Sequence, residues 1–65
     1  MFNFKMVDRD GAEVGVYCAG ISGPWPVGTE LYDGGSARWR IAADVTPDEF
    51  DFERFAGVWQ VEPVT

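Results

Sequence analysis

The chain has 65 residues, with eleven acids against five bases and a net charge of −6. It contains three tryptophans, two tyrosines, five phenylalanines, one cysteine and no histidine. One small domain is implied, residues 1–65. The missing histidine and single cysteine exclude the usual zinc sites and histidine-assisted nucleophilic catalysis.

At this length folding buries only roughly 60% of the unfolded chain's surface. One cysteine cannot form an internal disulfide. Trp25, Trp39, Trp59 and the phenylalanines must therefore supply much of the burial. A homodimer interface would add to it. The acidic balance argues against direct nucleic-acid binding, because contact with phosphate needs Lys and Arg to displace counterions. It also argues against docking on anionic membranes. Met1-Phe2-Asn3-Phe4-Lys5 is not followed by an apolar h-region, so no signal peptide is expected. No run is long enough to span a membrane. These features and the free thiol of Cys18 point to the cytoplasm. Cys18 lies in an apolar strand pattern and is expected in the core.

In chain order, the first strand alternates Phe2, Phe4 and Met6 with Asn3, Lys5 and Val7. The second alternates Val14, Val16 and Cys18 with Glu13, Gly15 and Tyr17. A two-residue turn at Asp10-Gly11 would set Met6 opposite Gly15 and split the apolar residues between faces. A three-residue loop, Arg9-Asp10-Gly11, sets Met6 opposite Val14 and Phe4 opposite Val16. That unites one apolar face, so burial favours it. Gly11 then takes the left-handed position beside a bulge. Asp8-Arg9-Asp10-Gly11 superficially resembles a calcium loop. The EF-hand positions six and twelve would be Glu13 and Ala19, which do not fit.

Residues 19–28 form a loop in which Pro24 and Pro26 hold the backbone extended around Trp25. A short strand follows at Thr29 to Tyr32, then a turn at Asp33-Gly34-Gly35-Ser36. In the next strand Ala37, Trp39, Ile41, Ala43 and Val45 face one way, and Arg38, Arg40, Ala42 and Asp44 the other. A three-residue turn pairs Leu31 with Trp39 and Glu30 with Arg40. A five-residue turn pairs Glu30 with Arg38. Both set opposite charges across the strands.

Thr46-Pro47-Asp48-Glu49 reads as a helix start, with Thr46 as N-cap, Pro47 as first helical residue and Glu49 closing a capping box. Val45 and Phe50 take the staple positions. The helix would run from Pro47 to Phe55, held by Phe52, Phe55 or Ala56 against the core, with Gly57 as its stop. A disordered acidic loop is the competing reading. The last strand is Val58 to Glu62, with Trp59 and Val61 inward and Pro63 at its end.

This order predicts a mainly β fold: a five-stranded SH3-like small barrel with one short helical turn before the last strand. Closure of the barrel would remove exposed strand edges. An open twisted sheet is the alternative.

No catalytic constellation is present. Cys18 has no activating neighbour in sequence, and nothing places a carboxylate pair in a cleft. Gly34-Gly35 opens no helix, so it is no phosphate loop. The chain is read as a non-enzyme without metal or cofactor.

Two segments stand out as partner-binding candidates. Asp44, Asp48, Glu49, Asp51 and Glu53 crowd one segment with only Arg54 to offset them, interleaved with Phe50, Phe52 and Phe55. The segment is either a solvated helix face or a docking surface for a basic partner. An aromatic that fails to reach the core would turn it into a mixed interaction patch. Trp25 either plugs the open end of the barrel or stands exposed as an anchor, flanked by Tyr32, Arg38 and Arg40. Leu31-Tyr32-Asp33 shares three residues with the ALYDY segment of peptide-binding SH3 domains. The match is short and falls mid-chain, so it counts as coincidence.

Phe4-Lys5-Met6-Val7-Asp8, Asp10-Gly11, Trp25 with Gly28, Arg38-Trp39-Arg40-Ile41 and Phe55 to Pro63 together cover most of the chain. In this pattern the chain resembles short β proteins of actinobacteria and their phages. The resemblance implies a small β-barrel and brings no known activity. The expected function is a protein–protein interaction module. The alternative is an acidic, phage-type antagonist that mimics nucleic acid on a basic surface.

Overall fold

The computed structural model describes residues 1–32 and 37–64. These residues form strands β1 (Phe2–Val7), β2 (Glu13–Ala19), β3 (Glu30–Tyr32) and β4 (Arg38–Val45), helix α1 (Glu49–Arg54) and strand β5 (Gly57–Pro63). The fold is mainly β, with the one short helix placed before the last strand. The strands make a single sheet in the order β2-β1-β5-β4-β3. Neighbours are antiparallel except β1 and β5, which run parallel. The sheet curls into a half-barrel. Its edges, β2 and β3, are not joined among the described residues. The turn expected at residues 33–36 lies outside the described residues.

Arg9-Asp10-Gly11 is the three-residue loop that burial favoured. Asp8 N–H donates to Ala12 O at 2.9 Å, and Gly11 N–H donates to Asp8 O at 3.0 Å. The Asp8 carboxylate accepts from the amides of Asp10 and Ala12. Gly11 has φ +86°, the left-handed conformation expected of it. Beyond this turn the expected register fails. Val7 pairs with Glu13, but Met6 pairs with Gly15 and Phe4 with Tyr17. Val14 is an extra residue, a bulge that shifts every later pair by one.

The shift turns Gly15, Tyr17 and Ala19 toward the core and Val14, Val16 and Cys18 outward. Cys18 is thus exposed, not a core residue. The physical reason is volume. Phe4 and Met6 already fill the space above β1, and a valine opposite them would overpack it. Even a Cβ added to Gly15 would stand 3.2 Å from Met6 Cε.

A second bulge, at Ala42, interrupts β4. Ile41 pairs with Val61, whereas Ala43 pairs with Gln60 and Val45 with Val58. Trp39 and Ile41 face the core as expected. Past the bulge the faces exchange, so Val45 lies on the outer face and Asp44 comes onto the core face opposite Trp59. The β3–β4 pairing is the one expected for the three-residue turn, Leu31 with Trp39 and Glu30 with Arg40.

Phe4, Met6, Ala19, Leu31, Ile41, Trp59 and Val61 form the buried core, with Tyr17, Trp25 and Trp39 packed at its margin. Phe4 and Trp59 stack at 4.1 Å, and Trp25 closes over them at 6.2 Å and 5.6 Å between ring centroids. Loop residues 20–29 are tied to β4 by hydrogen bonds from Gly28 N–H to Ile41 O and from Ile41 N–H to Thr29 O. The Gly23–Pro24 bond in this loop is cis. No helix among the described residues is long and apolar enough to cross a membrane.

Candidate functional site

Helix α1 is short because its start is set by its own cap and its end by the sheet. Its N-cap is Asp48, whose carboxylate accepts the Asp51 amide at 2.8 Å. The expected start at Thr46 and Pro47 is therefore displaced by two residues. A start at Thr46 would leave the Asp48 carboxylate inside the first turn, without its capping role. The last helical residue is Arg54 and Phe55 is the C-cap, within one residue of the expected end, and Gly57 is already paired with Phe4 in the sheet. Ala56 N–H donates to Asn3 O at 2.7 Å and draws the chain out of the helix.

The displaced start rotates the helix. Asp51, expected on the acidic surface, is only 8% exposed. It lies over the outer face of the sheet, where Lys5 Nζ reaches its two oxygens at 3.1 and 3.2 Å. The pair is largely shielded from water on both sides. Phe55 follows one turn later and is half-buried. Residues advance by about 100° around a helix, which puts Phe50 and Phe52 on opposite flanks of Asp51 and sends Glu49 and Glu53 straight outward. Of the three residues expected to hold the helix, Phe55 is half-buried while Phe52 and Ala56 are exposed, and with Asp48 as the N-cap Val45 and Phe50 no longer take the staple positions. Phe50 is 59% exposed and Phe52 is 74% exposed.

The two rings differ in their surroundings. The Arg54 guanidinium sits 4.1 Å over the Phe50 ring and covers one side of it. Phe52 instead borders a shallow cleft of about 360 Å³ that it shares with Pro47, Asp48, Glu49 and Glu53. An aromatic ring is thus set among three carboxylates.

Trp25 is half-buried, and its Nε1–H donates to Ile21 O at 3.3 Å. One edge of its ring lines a second groove, of about 370 Å³, with Phe4, Pro24, Pro26, Asp44 and Trp59. Tyr32, Arg38 and Arg40 do not flank it. They lie on the outer face of the sheet, away from the core, because Leu31 and Trp39 occupy the alternating inward positions. Both arginines are engaged there. Arg38 lies 5.2 Å from the Tyr32 ring centroid and 3.8 Å from Glu30, and Arg40 reaches Glu62 at 3.3 Å.

The structure thus gathers Asp48, Glu49 and Glu53 into one surface and removes Asp51 from it. Trp25 and the group of Tyr32, Arg38 and Arg40 stand apart from that surface and from each other. Lys5 was not singled out from the sequence, and Asp44, read there with the acidic segment, lies instead at the Trp25 groove. Lys5 had a signal, being the one lysine in the chain and set in a strand of large apolar residues. No family model matches the chain, and no curated protein or solved structure gives a significant match.

Proposed function

We propose that this protein is a non-enzymatic, cytoplasmic interaction module that binds a protein partner through the outer surface of α1. The observation that carries the reading is Phe52, 74% exposed at the lip of an acidic cleft while its helix turns a carboxylate inward. A rigid aromatic buried on association is an effective anchor. The surrounding Asp48, Glu49 and Glu53 select a basic partner surface. An SH3-like fold name belongs to the same reading. Five short strands with a helical turn before the last support it, and the parallel β1–β5 pair departs from an antiparallel meander.

The test is affinity capture from the source cell's lysate with three baits: the wild type, Phe52→Ser and Tyr32→Ser. The wild type and Tyr32→Ser are expected to retain one stoichiometric protein that Phe52→Ser loses. Equal retention by Phe52→Ser overturns Phe52 as the anchor. The second reading is charge mimicry by a phage-type antagonist, favoured by the three exposed carboxylates on one short helix. It predicts capture that survives Phe52→Ser but collapses as salt rises, since exposed charges more than ~10 Å apart are screened at 0.1 M ionic strength.

A further inference from the structure

Strand β2 is an edge of the sheet, paired with β1 on one side only. Among the described residues, Glu13–Ala19 makes no backbone hydrogen bond beyond the strand pairing itself. Its outer amides and carbonyls therefore form an open template for another strand. The outer-face side chains are apolar and accessible. Val14 is 38% exposed, Val16 is 43% exposed, and Cys18 lies two residues further along the same face.

The usual protections of an edge are thin here. Natural edges are blunted by shortness, charge or proline. The opposite edge shows two of these: β3 has three residues, and Glu30 within it is paired to Arg38. Strand β2 has seven residues, and from Val14 through Thr29 the sequence has no charged residue at all. Only Glu13 and the Val14 bulge protect it, both at its first end.

That uncharged stretch identifies the occupant. Two copies of a chain with net charge −6 repel each other over most of their surfaces. The β2 rim is where they meet with the fewest like charges opposed. A basic partner would gain nothing at this rim and would be drawn to the acids of α1 instead. We infer that two copies pair antiparallel through β2, giving a two-fold dimer with one continuous sheet. Such an interface is self-complementary by symmetry. Pairing Cys18 of one copy with Val14 or Val16 of the second keeps the outer apolar stripe continuous. Strands rise ~3.4 Å per residue and lie ~4.8 Å apart, so the two Cys18 positions then fall within ~15 Å.

Sedimentation across a concentration series tests the pairing. The wild type is expected to reach dimer mass, and a bismaleimide of matching span to join the two Cys18 thiols. Val16→Lys should raise the dissociation constant at least ~tenfold, because a lysine on an edge opposes strand addition. Tyr32→Lys, on the β3 edge, should leave it unchanged. Added salt should strengthen the dimer, since it screens the mutual repulsion. That sign is opposite to the one expected for a basic partner on α1, so the two readings fail separately. A wild type that stays monomeric up to ~1 mM overturns the inference and leaves the edge to a foreign strand. Equal loss with Tyr32→Lys overturns the choice of edge. If Val16→Lys does not fold, amide exchange of wild-type β2 decides. Slowing with concentration supports the pairing, and no change overturns it.

Discussion

On one face of the sheet Phe4, Met6, Leu31, Ile41 and Trp59 pack together without a charged group among them. On the other, where Val7 and Val58 are also buried, Lys5 meets the Asp51 carboxylate of a six-residue helix. The first face is held by area removed from water, which needs shape and little direction. The second is held by an ion pair and a cap, which need geometry. The difference explains where the exposed rings are. A helix oriented by Asp51 and Lys5 cannot also turn Phe50 and Phe52 inward, so the outer side becomes the sticky one.

The sharpest break of the core face is Trp59→Ala. Trp59 stacks on Phe4 and touches the margin rings Tyr17 and Trp25. Truncating a buried tryptophan costs about 4 kcal/mol. A domain of this size rarely has more than ~3–5 kcal/mol in total. Urea titration by circular dichroism should find the variant largely unfolded before denaturant is added. A cooperative transition with an unchanged midpoint would show that the aromatic cluster is not the mainstay.

The outer face is tested by removing one half of its ion pair. Asp51→Ala leaves the Lys5 ammonium, mostly shielded from water, with no carboxylate. A group stranded in this way costs about 2 kcal/mol, less than a fully buried charge because the lysine keeps some exposure. Replacing both groups, Lys5→Met with Asp51→Leu, should return stability to within ~1 kcal/mol of the wild type. A double variant as unstable as Asp51→Ala would mean that the pair does more than fill space. Both variants are read by the same urea titration.

The strands were legible in the sequence wherever alternation ran unbroken. Phe2 to Val7, the Leu31–Trp39 pairing and the inward set of Trp59 and Val61 all follow from period-two burial. The Gly11 turn was legible because only glycine accepts that conformation without strain. The bulges at Val14 and Ala42 were not. Neither position carries a glycine or proline to announce it, and the space that forces each is set by strands distant in sequence. Each shifts its pairing by one residue, which displaced Cys18 and Val45 from their expected faces. The candidate surface was legible as composition, in the acids and phenylalanines of residues 48–55. Its orientation was hidden, because it depends on Lys5, more than forty residues away.

The smallest expected effect decides between two helix starts that look alike in sequence. Thr46 with Pro47 and Glu49 makes a plausible cap; Asp48 with Asp51 makes another, two residues on. Only the second points Asp51 at Lys5, so the cap chooses which side chain the helix buries. Asp48→Ala should cost about 1 kcal/mol, and Thr46→Ala only a few tenths. The loss should also be local. Phe52 N–H donates to Asp48 O, and Phe55 N–H to Asp51 O, both at 2.8 Å. Exchange of those two amides should quicken in Asp48→Ala by more than the global loss accounts for. Exchange of the Ile41 amide, held by Thr29 O in the core strands, should follow global stability alone. If Thr46→Ala produces this pattern instead, the helix starts at Thr46, Asp51 is not aimed at Lys5, and the exposure of Phe52 loses its cause.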